Sequence, residues 1–255
     1  MTADRKPATD HTRSTNAART VPQDAADFDR ARRGFIADIA DRRVTDHDGR
    51  VVMNADNYAF LAPENPAPDT VHPSLWRHAQ LNHHRGLFEV VPGVWQVRGY
   101  DISNITFIRG TKGWLVIDPL TTAATARAGY ALISEHVERL PVTAVIYTHS
   151  HTDHFGGVLG VTTQEAVDKG ECVVIAPEHF LHEVVGENVI AGFAMGRRAL
   201  YQFGPLLPPG PQGHVDCGLG NSIPLGGPGL IAPTVDITRT GEEMTVDGIR
   251  IEHAR

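Results

Sequence analysis

The feature that most constrains the fold is a short apolar segment that ends in a cluster of histidines. Residues 143–147 read Thr-Ala-Val-Ile-Tyr, as expected of a buried strand, and a Gly-Gly pair at 156–157 allows a turn soon after it. Between them lie His149, His151, Asp153 and His154. Neutral imidazoles together with a carboxylate are the ligands that zinc and similar divalent metals prefer. The pattern therefore predicts a strand that delivers metal ligands to a loop at its end.

The spacing of these four residues divides them into two pairs. In an extended segment His149 and His151 leave the same face, so both can bind one ion. Asp153 continues this alternation, whereas His154 breaks it and can reach a second ion. Two-metal sites of this kind lower the pKa of a bridging water and stabilise an oxyanion, which indicates a hydrolytic centre. The alternative is a polar, histidine-rich surface loop, but four metal-binding groups within six residues favour the metal centre.

The composition excludes some classes of protein. With 255 residues, of which 41% are apolar, the chain is long enough for a sizeable core and for one or two domains. The net charge of −7 argues against nucleic-acid binding, which requires a basic surface. Two cysteines, Cys172 and Cys217, do not form a disulfide framework, and the apolar surroundings of Cys172 predict a buried side chain.

The sequence also bears on the location of the protein. No run of 18 apolar residues is present, so we expect no transmembrane helix. Residues 1–27 lack the apolar segment of a secretory signal, which makes the cytoplasm the default expectation. The pair Arg32-Arg33 resembles part of a twin-arginine signal, but the residues after it are too charged for the apolar part of such a signal. A periplasmic or secreted location stays open.

We expect three regions along the chain. Residues 1–27 are polar and predicted to be disordered, residues 28–85 form an N-terminal arm, and residues 86–255 form the main domain. The main domain should contain the following elements: strands over 90–97, 102–109, 114–117, 143–147 and 172–176, a helix from Thr121 or Thr122 to Leu140, a helical stretch over 177–203 interrupted near Gly186 and Gly192, and a hairpin of 235–238 with 249–251.

Longer strings around the cluster resemble a known family. The run His-x-His-x-Asp-His at 149–154 resembles the signature of the metallo-β-lactamase superfamily. Further strings resemble the zinc-dependent alkyl sulfatases of that superfamily, and the likeness runs from about Asp56 to the end of the chain. These strings are PSLWR at 73–77, GLFEV at 86–90, VWQVRGYDISNI at 94–105, GWLVIDPL at 113–120 and YTHSHTDHFGG at 147–157.

The resemblance implies a fold and a metal site. The fold would be the αββα sandwich of that superfamily, an α/β protein, of which this chain would hold the N-terminal part only, with an arm wrapped around the catalytic domain. His149 and His151 would bind the first of two zinc ions. Asp153 and His154 would bind the second, and Asp153 would also contact the bridging water as a catalytic residue. Asp118 would support the metal loop from outside the ligand set.

The resemblance also implies an activity and partners. A metal-bound hydroxide would hydrolyse small-molecule alkyl sulfate esters such as dodecyl sulfate. The remaining metal ligands, two glutamates and a histidine, would come from downstream of residue 255, and the complete protein would be a homodimer. We expect no nucleic-acid partner.

Two alternatives stay open. The chain is compatible with a hydrolase of the same superfamily that acts on lactones, thioesters or phosphodiesters, although the strings around Trp76 and Trp95 favour the sulfatases. It is also compatible with a truncated, inert product, since the family's downstream ligands are missing. Further candidates are weaker. Arg197, Arg198 and Tyr201 precede a long loop and either shape a channel for an anionic ester or form an ordinary helix surface, and His78, His83 and His84 are predicted to be solvated.

Overall fold

The structure is a computed structural model that describes residues 6–19 and 24–253. Its strands are β1 (Phe35–Ala37), β2 (Arg43–Thr45), β3 (Val51–Asn54), β4 (Gly86–Val91), β5 (Val94–Arg98), β6 (Ile105–Arg109), β7 (Trp114–Ile117), β8 (Val142–Ile146), β9 (Val173–Pro177), β10 (Val235–Ile237), β11 (Glu242–Val246) and β12 (Ile249–His253). Its α-helices are α1 (Asp10–Ala17), α2 (Ala26–Arg32), α3 (Pro73–Asn82), α4 (Ala123–His136), α5 (Gln164–Asp168), α6 (Phe180–Val185) and α7 (Gly192–Phe203). Short 3₁₀ turns span Ala55–Leu61, Thr152–His154 and Val158–Gly160, and a π-helical turn spans Gly186–Ile190.

Eight of the strands form one mixed sheet in the order β1-β4-β5-β6-β7-β8-β9-β10. Pairing is antiparallel from β1 to β7 and parallel from β7 to β10. Because β7 and β8 are parallel, their carboxyl ends meet at one edge of the sheet, where open α/β sheets bind ligands. This confirms the predicted α/β class and places Asp118 beside the histidine loop.

The centre of the sheet is buried. Trp114, Leu115 and Val116 of β7 are all at most 1% exposed, as expected for a parallel strand covered on both faces. Trp114 packs edge-to-face against Trp95, with ring centroids 5.4 Å apart. Tyr147, at the end of β8, stacks on Phe180 of α6 at 5.0 Å. The strand that carries the histidine loop is therefore anchored by aromatic packing just before the loop begins.

Helix α4 matches the sequence prediction at its start. The side chain of Thr122 accepts a hydrogen bond from the Thr125 backbone N–H, which makes Thr122 the N-cap. The helix ends at His136, earlier than expected. The helical stretch after β9 is also interrupted where predicted, because α6 ends at Val185 and α7 begins at Gly192.

The prediction for the C-terminal strands was wrong. Residues 235–238 do not form a hairpin with 249–251, because β10 instead joins the large sheet parallel to β9. The hairpin consists of β11 and β12, joined by Asp247 and Gly248, both with positive φ. An Asp-Gly pair is a strong signal for such a two-residue turn. The segment expected over 90–97 contains the end of β4 and most of β5, and the turn between them falls at the Pro92-Gly93 pair, where the sequence predicts one.

The N-terminal region also differs from expectation. Helix α1 lies within the segment predicted to be disordered, with Thr9 as its side-chain cap. Asn16 donates a hydrogen bond to the backbone oxygen of Asp69 at 2.9 Å, which fastens the helix to the arm. The parts of this prediction that concern residues 1–5 and 20–23 lie outside the described residues. Farther along, Tyr58, Leu61 and Trp76 belong to a second apolar cluster that the arm forms with Val215 of the long loop.

The exit of the histidine loop packs tightly against the start of α4. The Gly157 N–H donates to the Leu120 backbone oxygen at 2.8 Å. A Cβ atom on Gly157 would lie 2.0 Å from the oxygen of Pro119 and 2.7 Å from that of Thr122. Both neighbours are backbone atoms, so a side chain at this position would force the two segments apart.

We therefore predict that Gly157→Ala lowers the free energy of unfolding by about 1–3 kcal/mol or more, as overpacking does. Urea denaturation of the full chain measures this. Gly192→Ala is the control, because a Cβ there meets no atom within 4 Å. It should leave stability unchanged or raise it by up to about 1 kcal/mol. Equal stability of the Gly157→Ala variant and the unsubstituted chain would contradict this account of the loop exit.

Candidate metal centre

The histidine loop is tied to the end of β7 by one carboxylate. Asp118 follows β7 directly and is 9% exposed. Its Oδ1 accepts from the Thr148 backbone N–H at 2.9 Å, and its Oδ2 accepts from the Thr148 hydroxyl at 2.8 Å. Asp118 and Leu120 both have positive φ, at 54° and 65°. Such backbone costs on the order of 1–3 kcal/mol per residue and persists where the surroundings hold it, as the Asp118 hydrogen bonds do here.

The three histidine rings of the loop lie together. The ring centroids of His149 and His151 are 4.7 Å apart, and those of His149 and His154 are 4.1 Å apart. The 3₁₀ turn Thr152–His154 brings the ring of His154 back to that of His149. The Ser103 hydroxyl donates to the backbone oxygen of Asp153, which fastens this turn to the segment before β6. The structure thus brings together all four residues that the motif singled out.

His154 lies between two carboxylates. Its Nδ1 is 2.8 Å from Asp118 Oδ2, and its Nε2 is 3.2 Å from Asp153 Oδ2. Burial lowers the pKa of His154, but the hydrogen bonds and charges of Asp118 and Asp153 outweigh it and raise the pKa to about 9. For Asp153 the directions are opposite. Burial raises the pKa of this carboxyl, but the contact with His154 outweighs burial, so the pKa is lowered.

In each of the three histidines, one ring nitrogen contacts a neighbouring side chain. The other ring nitrogen is then a candidate metal ligand. The Thr148 hydroxyl gives its proton to Asp118, so it accepts from His149 Nδ1 at 2.9 Å and leaves His149 Nε2 unprotonated. Burial, together with His154 and His151, lowers the pKa of His149, which favours this neutral form. In His154, Asp118 binds Nδ1, and Nε2 faces Asp153. In His151, Nε2 lies 3.6 Å from Glu187 Oε1.

The chemistry of these donors fits a divalent metal, because imidazole nitrogens and carboxylate oxygens are the usual ligands of such ions. The side chains do not yet surround a common point. Within residues 6–19 and 24–253, no group of three or more His, Cys, Asp or Glu residues is positioned to hold a metal ion. One reason is local: His154 Nε2 and Asp153 Oδ2 are paired with each other, 3.2 Å apart.

Other candidates are placed elsewhere. His83 and His84 are half-buried and not solvated, and burial together with Arg85 lowers the pKa of His83 to about 4. Arg197, Arg198 and Tyr201 are exposed on α7. His214 is buried, 2.8 Å from the Tyr58 hydroxyl and 3.6 Å from Cys217 Sγ, and so connects the long loop to the N-terminal arm.

Sequence reasoning missed two residues beside the loop. Glu187 approaches His151, and the Asn188 side-chain oxygen accepts from the Thr152 hydroxyl at 2.6 Å. Both belong to the π-helical turn, and the break predicted near Gly186 was the one available signal. In the part of the chain that the structure describes, no helix is long and apolar enough to cross a membrane.

The fold and the histidine loop agree with what comparison with known proteins shows. The model of the metallo-β-lactamase superfamily matches residues 98–237, more than half of the chain. The chain therefore belongs to the metallo-β-lactamase superfamily. Members of this superfamily carry a metal cofactor, as the name states, which agrees with the donor set at the end of β8.

Within that superfamily, the chain is similar to sulfatases. It is 48% identical to an alkyl/aryl-sulfatase of Saccharomyces cerevisiae over 233 residues, covering 91% of this chain and 36% of that protein. It is 44% identical to a linear primary-alkylsulfatase of Pseudomonas sp. over 250 residues, covering 97% and 37%. The solved structure of a stereoselective inverting sec-alkylsulfatase from Pseudomonas sp. matches with a TM-score of 0.92 at 44% identity, covering 98% and 40%. The chain thus spans well under half the length of these relatives.

The geometry around Asp118 generates a prediction. Asp118→Asn keeps a residue type that tolerates positive φ, so the backbone itself is not perturbed. It replaces one acceptor oxygen with an NH₂ group, and Thr148 or His154 then loses its acceptor. We expect the free energy of unfolding, measured with urea, to fall by about 1–3 kcal/mol.

The control for this variant is Asp168→Asn, an exposed aspartate at the end of α5. Surface changes of this kind alter stability by about 0.5 kcal/mol or less. If both variants were as stable as the unsubstituted chain, Asp118 would not hold the loop as described.

Proposed function

We propose that this chain is the metal-binding part of a zinc-dependent hydrolase that cleaves alkyl sulfate esters such as dodecyl sulfate. The observation that carries the proposal is the convergence of His149, His151 and His154 at the end of β8, in a chain 44–48% identical to proteins named alkylsulfatases or alkyl/aryl-sulfatases. Because the chain covers 36–38% of these relatives, the complete activity is proposed for the protein to which this segment belongs.

The residues of the loop have separate roles in this proposal. His149 and His151 bind one zinc ion, and Asp153 and His154 bind a second. Asp153 also orients the attacking water. Asp118 holds His154 through Nδ1, so that Nε2 is the nitrogen available to the metal. When bound, zinc supplies Lewis-acid chemistry, since it lowers the pKa of water and neutralises charge on the ester.

The surface beside the loop supports a substrate with an apolar tail. Val189 and Ile190 directly follow the two residues of the π-helical turn that contact the loop. They are 73% and 82% exposed, and Phe193, at the start of α7, is 95% exposed. Large apolar side chains exposed together are uncommon on a protein surface and mark a place where an apolar partner binds. An alkyl chain next to the sulfate group meets that requirement. In the complete protein we further propose a homodimer.

The activity test uses the intact protein isolated from its source, after its mass has been measured. Sulfate release from dodecyl sulfate should fall at least about 100-fold in His149→Ala and in Asp153→Ala, because changes outside the ligand set alone cost 10–100-fold. His179→Ala is the control, since His179 is an exposed residue after β9. Full activity in the first two variants would refute the metal assignment.

The same assay distinguishes the alternatives. Turnover of a lactone, thioester or phosphodiester without release of sulfate would overturn the substrate but keep the metal site. An intact mass equal to that of 255 residues, with no turnover of any substrate, would favour an inert product.

Metal content is the second test. We expect two zinc ions per chain in the intact protein by elemental analysis, and at most one in His149→Ala. A chelator should abolish sulfate release, and added zinc should restore it. Unchanged activity after chelation, with the metal shown to be removed, would contradict the proposed role of zinc.

A further inference from the structure

The turn between α6 and α7 has an unusual conformation. The Ala191 N–H donates to the backbone oxygen of Gly186, five residues earlier, at 2.9 Å. Such π-helical turns are rare and occur mostly at functional sites, because the extra residue changes the direction of the side chains within the turn. Here two polar side chains of the turn, Glu187 and Asn188, approach consecutive residues of the histidine loop.

Asn188 fixes the position of the turn against the loop. Its Nδ2 donates to the backbone oxygen of Val184 at 3.0 Å, so its Oδ1 is directed away from α6. That oxygen accepts from the Thr152 hydroxyl at 2.6 Å. The amide therefore joins the end of α6 to the residue after His151, and the neighbouring Glu187 is held beside that ring.

Glu187 lies nearest to one of the two ring nitrogens of His151. Its Oε1 lies 3.6 Å from His151 Nε2, and its side chain is 23% exposed. The other two rings each have Nδ1 close to a side-chain oxygen. For His154 this is an oxygen of Asp118, which follows β7, and for His149 it is the hydroxyl oxygen of Thr148. Histidines that bind metals almost always direct the second nitrogen to an oxygen acceptor, which sets the position of the ring proton.

We propose that Glu187 is a positioning residue for His151. Its carboxylate favours the proton on Nε2 and so leaves Nδ1 for the metal, while Asn188 keeps the turn against the loop. This inference rests on the proposed function, since it concerns the nitrogen that His151 offers to the metal. Glu187 contacts neither the metal nor the substrate in this role.

The first experiment measures zinc affinity by competition with a chromophoric chelator. Glu187→Gln keeps the shape of the side chain and removes its charge. We expect a 10–100-fold weaker affinity, the usual effect of losing an acceptor behind a ligand histidine. Glu183→Gln is the matched control, because Glu183 lies four residues earlier and its exposed carboxylate pairs with His182 at 3.3 Å. It should change the affinity less than twofold, and equal affinity of both variants would overturn the proposal.

A double-mutant cycle tests whether Glu187 acts through His151. In a His151→Ala background, Glu187→Gln should cause no further loss of zinc affinity. If it costs as much there as in the unsubstituted protein, Glu187 acts on the site in another way and the proposal is wrong. Urea midpoints of all variants confirm that each is folded.

A measurement without metal separates this proposal from the proposed function. At alkaline pH, the ¹⁵N chemical shifts of the His151 ring report which nitrogen carries the proton. We expect the Nε2–H form to dominate in the unsubstituted chain and in Glu183→Gln, and the Nδ1–H form to increase in Glu187→Gln. The same proton position in all three would overturn the role of Glu187. A chain that binds no zinc but shows the expected change would refute the zinc function and retain the positioning role.

Discussion

The carboxylate of Asp118 is the constraint on which the candidate site depends. It connects the end of β7 to the first residue of the loop after β8, and it also binds His154 at the loop's far side. One side chain thus links the end of β7 to the start of the loop and to the ring of His154. Its left-handed backbone would be unfavourable alone. The hydrogen bonds to Thr148 and His154 offset that cost, so the strained turn and the ordered loop stabilise each other.

Local sequence signals predicted much of the fold and the identity of the candidate ligands. The apolar run before His149, the cap at Thr122 and the breaks near Gly186 and Gly192 act over a few residues, and the structure has each of them. Pairing between distant segments could not be read in this way. The register of β10 against β9 joins Val235 to Ile175, and no local pattern distinguishes it from a hairpin with a nearer segment. The Asp247-Gly248 turn was a local signal that the prediction did not use.

The arrangement of the site was less predictable than its residues. Spacing alone suggested that His149 and His151 share a face and that His154 points elsewhere, but the 3₁₀ turn brings His154 closer to His149 than His151 is, by ring centroids. The neighbours of the ring nitrogens are Thr148 for His149, Glu187 for His151 and Asp118 for His154. Glu187 and Asp118 lie more than thirty residues from the rings they contact. Such neighbours follow from packing and have no signature in the motif itself.

The histidine loop has neighbours on two sides, which differ in burial. On the side of the sheet, the buried carboxylate of Asp118 accepts hydrogen bonds of 2.8–2.9 Å from Thr148 and His154. On the side of the π-helical turn, the carboxylate of Glu187 is 3.6 Å from the ring of His151, whose side chain is 61% exposed. His149 and His154 therefore have a fixed reference in β7, whereas His151 takes its position from a turn at the surface.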